Sequence, residues 1–214
     1  MLNIINKIFS STKNLNIINH RFTKLRKETN VEKIFNAIES YSNEAEIRYV
    51  GGCVRKIINN EKIDDIDLAT NIDPTKVKEA LENKNIKYFE TGIEHGTITA
   101  LIENDKFEIT SLRSDIKTDG RHAEIKFTTD WIKDAERRDF TINSIYADID
   151  GNLFDPFDGK NDLANGLIKF VGDPEKRIKE DYLRILRYFR FFALYSKNDH
   201  QLEIKKIIKK NIVG

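Results

Sequence analysis

The stretch Ile47-Arg48-Tyr49-Val50-Gly51-Gly52-Cys53-Val54-Arg55, followed ten residues later by Asp65-Ile66-Asp67, leaves this chain few architectures. Ile47 to Val50 reads as a short strand that ends on two glycines. A helix is predicted from near Val54 to Asn59, where Asn59-Asn60 breaks it. Asp64 to Ala69 reads as the next strand. Residues two apart on a strand share a face, so Asp65 and Asp67 project together while Ile66 points into the core. Two neighbouring carboxylates repel each other, and a divalent cation relieves that repulsion. Magnesium held by one or two carboxylates plus substrate phosphates is the usual form of such a site. A D-x-D triplet alone is more often a solvated turn or strand edge, and a lone Gly-Gly is more often only a turn. Their order here raises the odds. Glycines between strand and helix let a ligand approach the backbone, with Gly51 and Gly52 amides facing phosphate oxygens. Arg55, one turn on, can fork onto the same phosphates.

The rest of the chain predicts an α+β fold, a mixed or antiparallel sheet flanked by helices. Val31 to Tyr41 has helical spacing, and Pro74 to Asn83 a helix capped by Asp73. Thr97–Glu103 and Lys106–Leu112 flank Asn104-Asp105 as a hairpin, and a second hairpin is predicted to turn at Asp150-Gly151. Ser114 to His122 is polar, contains Gly120 and reads as a mobile loop. From Pro174 the pattern is helical, with Glu180 through Arg190 in one helix. Its predicted apolar arc is Tyr182, Ile185, Leu186, Phe189, Phe192 and Ala193. Glu180, Asp181, Arg184, Arg187 and Arg190 fall on the other half. Leu183, Tyr188, Phe191 and Leu194 intrude there, so that half is expected to be covered, and its surplus arginines point to a bound anion. An ordinary amphipathic helix with a solvated polar side is the alternative.

Bulk properties narrow the function. With 39% hydrophobic and 33% charged residues among 214, a packed core is expected and wholesale disorder is not. A net charge of +1 leaves room only for local basic patches. One cysteine, Cys53, makes no internal disulfide, which suits a reducing, cytoplasmic setting, and no run is long enough to span a membrane. Residues 1–30 carry Lys7, Lys13, Arg21, Lys24, Arg26 and Lys27 with no acid before Glu28, a basic extension. A transit peptide shares that composition, but a leader or helix feeding the fold is the favoured reading.

The glycine-arginine motif together with Asp65-Ile66-Asp67-Leu68-Ala69-Thr70 resembles the signature of class II tRNA nucleotidyltransferases and their bacterial poly(A) polymerase relatives, in the DNA polymerase β-like superfamily. Lys56 departs from the acidic residue usual after the arginine. Glu108 to Arg113, Asp119-Gly120-Arg121-His122 and Arg137-Arg138-Asp139-Phe140-Thr141-Ile142-Asn143 resemble three further family segments. The resemblance runs from about Glu46 to Tyr195. It implies that Asp65 and Asp67 are catalytic and hold two Mg2+ ions, with Glu108 a candidate third carboxylate. Gly51, Gly52, Arg55, Arg138, Asp181, Arg184, Arg187 and Arg190 would bind nucleotide. Arg137 and Asp139 could instead be a structural ion pair. Glu180 through Arg190 resembles the family's nucleobase-selecting motif. There a carboxylate (Asp181) accepts the exocyclic amine of cytosine or adenine, and a guanidinium (Arg184) donates to the neighbouring ring nitrogen.

The implied reaction is addition of CMP and AMP from CTP and ATP to the tRNA 3′ end, with release of pyrophosphate. Poly(A) synthesis and a non-catalytic nucleotide- or RNA-binding module are the alternatives. The implied organisation is a basic extension (1–30), a nucleotidyltransferase head (31–172) and the start of a helical neck (173–214). Family members continue into body and tail domains. A chain of this length is therefore expected to be a natural short form, a truncated piece or half of a split enzyme. It would hold tRNA weakly and be open to self-association or to a partner supplying the body.

Overall fold

A computed structural model describes residues 16–118 and 123–212; Asp119-Gly120-Arg121-His122 and, of the basic extension, Lys7 and Lys13 lie outside them. The chain alternates short helices and strands: α1 (16–28), α2 (Val31–Glu39), β1 (Ile47–Val50), α3 (Gly52–Ile58), β2 (Ile66–Thr70), α4 (Pro74–Glu82) and β3 (Lys87–Gly92). There follow β4 (Thr97–Ile102), β5 (Asp105–Ser111), β6 (Arg113–Thr118), β7 (Ala123–Phe127), α5 (Trp131–Glu136), β8 (Tyr146–Ala147) and β9 (Leu153–Phe154). The last helices are α6 (Gly159–Ala164), α7 (Pro174–Glu180), α8 (Leu183–Tyr195) and α9 (Leu202–Asn211).

Seven strands form one mixed sheet in the order β3-β4-β5-β2-β1-β8-β9, in which only β2 and β5 run parallel. Both predicted hairpins are present, β4 with β5 and β8 with β9. α4 begins as its sequence dictates: Pro74 occupies the first turn and the Asp73 carboxylate accepts from the Thr75 and Lys76 amides. α1 belongs to the fold, because Ile18, Phe22 and Leu25 share the core with α2, β1 and β2. Its Arg21 donates to the Ile57 and Ile58 carbonyls at 2.9 and 3.0 Å, capping the C-terminal end of α3. A second apolar cluster joins Phe140, Ile142 and Phe170 to Ile178, Ile185, Tyr188 and Phe191, and so fixes α7 to α9 on the sheet domain.

Several expectations need correction. β2 starts at Ile66, so Asp65 stands just before the strand and Asp67 within it. Residues 114–118 are not loop: they pair with β7 from Arg113↔Phe127 to Thr118↔Ala123. A strand rich in polar residues lacks the apolar alternation that reveals a strand. No single helix runs from Glu180 to Arg190. Asp181 adopts an extended backbone (φ −157°, ψ 107°) and separates α7 from α8.

The apolar arc of α8 is also rotated from expectation. Ile185, Tyr188 and Phe191 are buried with Arg184, whereas Tyr182, Leu186 and Phe189 are exposed. Apolar residues surround almost the whole helix, so periodicity could not choose its buried side. Docking onto Phe140 and Phe170 did, through ring contacts of Phe140 with Phe191 and Phe170 with Tyr188 at 5.5 and 5.9 Å.

Candidate active site

The turn between β1 and α3 sets the site. Gly51 has φ +65°, a conformation costly for any residue with a side chain, and a Cβ there would come 3.3 Å from the Arg138 guanidinium. A Cβ on Gly52 would sit 3.7 Å from Asp67 Oδ2 and 3.8 Å from an Arg55 guanidinium nitrogen. A side chain at this position would therefore lie in contact with both the carboxylate and the cation, which the bare glycine leaves uncovered. Arg55 is 7% exposed; it donates to Asn143 Oδ1 and lies over the rings of Phe191 and Tyr195 at 4.8 and 5.1 Å. Its Nε is buried without a partner among the described residues.

Parallel pairing of β2 with β5 places Asp67 directly across from Glu108. Burial, then the Glu108 carboxylate, push the Asp67 carboxyl up to about 6, with Asp65 adding to the rise and Arg138 opposing it. This is a site that gains from positive charge. Among the described residues no three His, Cys, Asp or Glu side chains gather closely enough to hold a metal unaided. Asp65 and Asp67 would need phosphate or water oxygens to complete a shell, which is the habit of Mg2+. Glu108 stands beside Asp67 without completing a three-carboxylate cluster. Lys56, the departure from the family pattern, pairs with Asp64 at 2.8 Å.

Above Asp67 opens a cavity of about 830 Å³. Seven arginines line it (Arg55, Arg113, Arg137, Arg138, Arg184, Arg187 and Arg190) against four carboxylates, Asp67, Glu108, Asp139 and Asp181. Every nucleotide-binding candidate from the sequence therefore borders one space, with Asp65 just outside it. Within it the arginines divide into two groups. Arg137 and Arg138 pair with the buried Asp134 at 2.8 and 3.0 Å, Arg184 with Glu180 at 2.8 Å and Arg187 with Asp139 at 2.5 Å. So the alternative reading of Arg137 and Asp139 as an ion pair is not what forms; Asp134 pairs with Arg137 and Arg187 with Asp139. Arg55, Arg113 and Arg190 have no carboxylate partner among the described residues, and Arg113 Nε is buried unpaired. Burial and the nearby Arg137 charge lower the Arg113 guanidinium to about 10. Arg190 is exposed to solvent, whereas Arg55 and Arg113 each keep a buried Nε with no partner among the described residues.

Asp181 Oδ1 accepts from the Leu183 amide at 3.0 Å and so starts α8, leaving Oδ2 without a protein partner among the described residues. Arg184 is 9% exposed and donates to the Arg177 carbonyl, Glu180 and the Arg137 carbonyl at 2.9, 2.8 and 3.1 Å. These bonds fix the guanidinium plane and leave two of its five donors unused. Reasoning from sequence did not single out Arg113 and Asn143 as site residues. Each closes a recognisable motif, yet only the fold aims them inward.

Residues 47–169 match the family described as the poly A polymerase head domain. Human mitochondrial CCA tRNA nucleotidyltransferase 1 is 51% identical over 172 residues, covering 79% of this chain and 40% of the relative. The CCA-adding enzyme of Lactobacillus johnsonii is 39% identical over 174 residues, covering 78% and 43%. The chain thus spans about two fifths of the length of the curated relatives it matches. Among solved structures, the Bacillus stearothermophilus CCA-adding enzyme in complex with CTP superposes with a TM-score of 0.72 at 29% identity, over 84% of this chain and 42% of that one. With the sheet, the glycine turn and the carboxylates of this arrangement, the chain belongs to the poly A polymerase head domain family.

Proposed function

We propose that this chain is the catalytic part of a CCA-adding tRNA nucleotidyltransferase, taking CTP and ATP and extending the tRNA 3′ end with release of pyrophosphate. The supporting observation is the arginine-rich cavity whose floor is the Asp67 carboxylate. A triphosphate brings about four negative charges, and Arg55, Arg113 and Arg190 offer cations that no described carboxylate neutralises. The names of the relatives point the same way. Residues 31–172 would be the head and 173–214 the start of the neck.

In the reaction the 3′-hydroxyl oxygen forms a bond to the α-phosphorus, and the bond to the β-phosphate oxygen breaks. Pyrophosphate leaves with that electron pair, and the hydroxyl proton goes to a carboxylate or water. Asp65 and Asp67 would hold Mg2+, which lowers the hydroxyl pKa and neutralises the leaving group when bound. Gly52 keeps the approach to Asp67 open, Arg55 orients the triphosphate, and Arg113 and Arg190 balance its charge. Arg138 and Arg187, tied to Asp134 and Asp139, position rather than neutralise. Asp181 Oδ2 accepts the exocyclic amine of cytosine or adenine, and a free Arg184 N–H donates to the ring nitrogen. A base presenting a carbonyl there leaves buried groups unpaired, at ~1–3 kcal/mol each. The lone, buried Cys53 supports a reducing compartment, which the cytoplasm and the mitochondrial interior both provide.

The test is a tRNA trimmed of its last three nucleotides, supplied with CTP, ATP or both. Ordered addition of two C and one A is expected. A long A tail replaces this with poly(A) synthesis, and no addition with a binding role.

A further inference from the structure

A separate cavity, of about 600 Å³, opens between the β6–β7 pair, α5 and α7. Among the described residues only Arg137 lines both this space and the arginine-rich cavity above Asp67. Lys126 enters it from β7, Lys133 and Arg137 from α5 and its C-terminal cap, and Lys176 and Arg177 from α7. Against these five cations stand three carboxylates, Asp115, Glu136 and Glu180, which leaves a surplus of two positive charges. The pairing is uneven. Arg137 is held by the buried Asp134, and Arg177 by Glu180 at 3.0 Å, yet Arg177 Nε is buried with no partner among the described residues. Lys126, Lys133 and Lys176 are exposed and pair with no carboxylate among the described residues, Asp115 and Glu136 included. Thr128 lines the same space, and its hydroxyl oxygen accepts from the Asp130 amide at 3.1 Å, so its own hydrogen remains to donate.

Lysines scattered over a surface swing apart into water. Here a strand and two helices hold three of them around one concavity, where their ammonium charges repel until an anion lies between them. A planar carboxylate offers its two oxygens along one edge. A phosphate offers oxygens in several directions and up to two charges, which matches both the spread of donors and the surplus. We infer that this cavity is a second anion site, taking a phosphate-class oxyanion on Lys126, Lys133, Lys176 and the Arg177 guanidinium. That chemistry comes either from a free anion, such as pyrophosphate, or from the phosphates of an RNA. The site stands apart from the nucleotide cavity yet close to its base-selecting end. Glu180 accepts from Arg177 on one side and from Arg184 on the other, at 3.0 and 2.8 Å.

The test is lysine footprinting of the full chain with an acetylating reagent, read residue by residue by mass spectrometry. Divalent ions are omitted, and ionic strength is held constant so that screening does not change with the probe. The two probes are inorganic pyrophosphate and a short RNA duplex carrying a 5′ phosphate. At least one should protect Lys126, Lys133 and Lys176 together, while Lys33 and Lys84, exposed elsewhere, keep their reactivity. Protection by pyrophosphate assigns the site to a free anion, and protection by the RNA alone assigns it to RNA phosphates. Protection by neither, or equal protection of Lys33 and Lys84, overturns the inference. Lys133→Gln combined with Lys176→Gln changes two exposed side chains and should leave the melting temperature unaltered. The probe concentration needed to protect Lys126 should rise about tenfold in that variant. An unchanged requirement overturns the assignment of these lysines.

Discussion

Asp134 lies beneath two arginines and a tyrosine, whereas Asp67 lies beside a second carboxylate. Asp134 accepts from Arg137 Nε at 2.9 Å, Arg138 Nη2 at 3.0 Å and the Tyr146 hydroxyl at 2.7 Å. Burial alone would raise its carboxyl, but Arg138, Arg137 and Tyr146 outweigh it and hold it well below the ordinary range. Asp67 has been pushed the other way. The contrast separates structural charge from functional charge. Around Asp134 the protein balances its own electrostatics and so fixes α5 against β8. At Asp67 burial and the neighbouring Glu108 leave an imbalance that a proton or a cation relieves.

The largest effect tests the imbalance directly. Asp67→Asn should reduce nucleotide addition by about 10³-fold or more, some 4 kcal/mol of barrier, measured by primer extension with CTP. The same variant should be the more stable protein without divalent ions. A variant that keeps near-normal activity would end the catalytic reading of Asp67. Asp134→Asn makes the opposite change, leaving two arginines short of their carboxylate. It should destabilise the fold by about 3–5 kcal/mol, read by urea melts, and the comparison fails if the loss is small.

A pH series then sharpens the contrast. The folded-state carboxyl of Asp67, raised from 3.8 to about 6, keeps a proton that the unfolded chain releases. Its ionisation therefore costs stability as pH rises from about 4 through 6, by roughly 2–3 kcal/mol once complete. Asp134, being depressed, contributes stability that is present above the ordinary carboxylate range and lost as pH falls below it. In metal-free buffer, the difference in stability between Asp67→Asn and the parent should widen between pH 4 and pH 6.5. For Asp134→Asn the difference should be flat across that window. A flat Asp67 difference would show that the carboxylate is not held under strain. The smallest effect is Tyr146→Phe, which removes one donor to Asp134 and one acceptor for Arg138. It should cost about 1–2 kcal/mol by thermal melt, with nucleotide addition largely retained.

How much of this was legible beforehand differs by residue. Asp73-Pro74 announced α4 because a cap and a first-turn proline act within four residues. Gly51-Gly52 announced the turn because the required backbone is itself a local property. Asp181 was legible as a site candidate and misread as helical. Its side chain caps α8 two residues on, and nothing in the periodicity marks the break at Glu180. The Arg187–Asp139 pair spans 48 positions and the Arg55–Asn143 bond 88, so neither follows from spacing. Arg113 closed a recognisable strand motif, yet its guanidinium meets the His95 carbonyl and its amide the Asp134 carboxylate, partners 18 and 21 positions away.

The sequence by itself determined the order of the motifs, the mixed α+β character and the presence of a carboxylate pair behind a glycine turn. Those features arise from backbone preferences and side-chain alternation over a few residues. Only the tertiary structure decided that Asp67 faces Glu108, which side of α8 is buried, and which arginines meet a carboxylate. Four of the seven in the cavity do, and among the described residues three have no carboxylate partner. These outcomes depend on the parallel register of β2 with β5 and on the docking of α8 against Phe140 and Phe170. Both bring together residues tens of positions apart, where burial and charge pairing, rather than local propensity, select the partner.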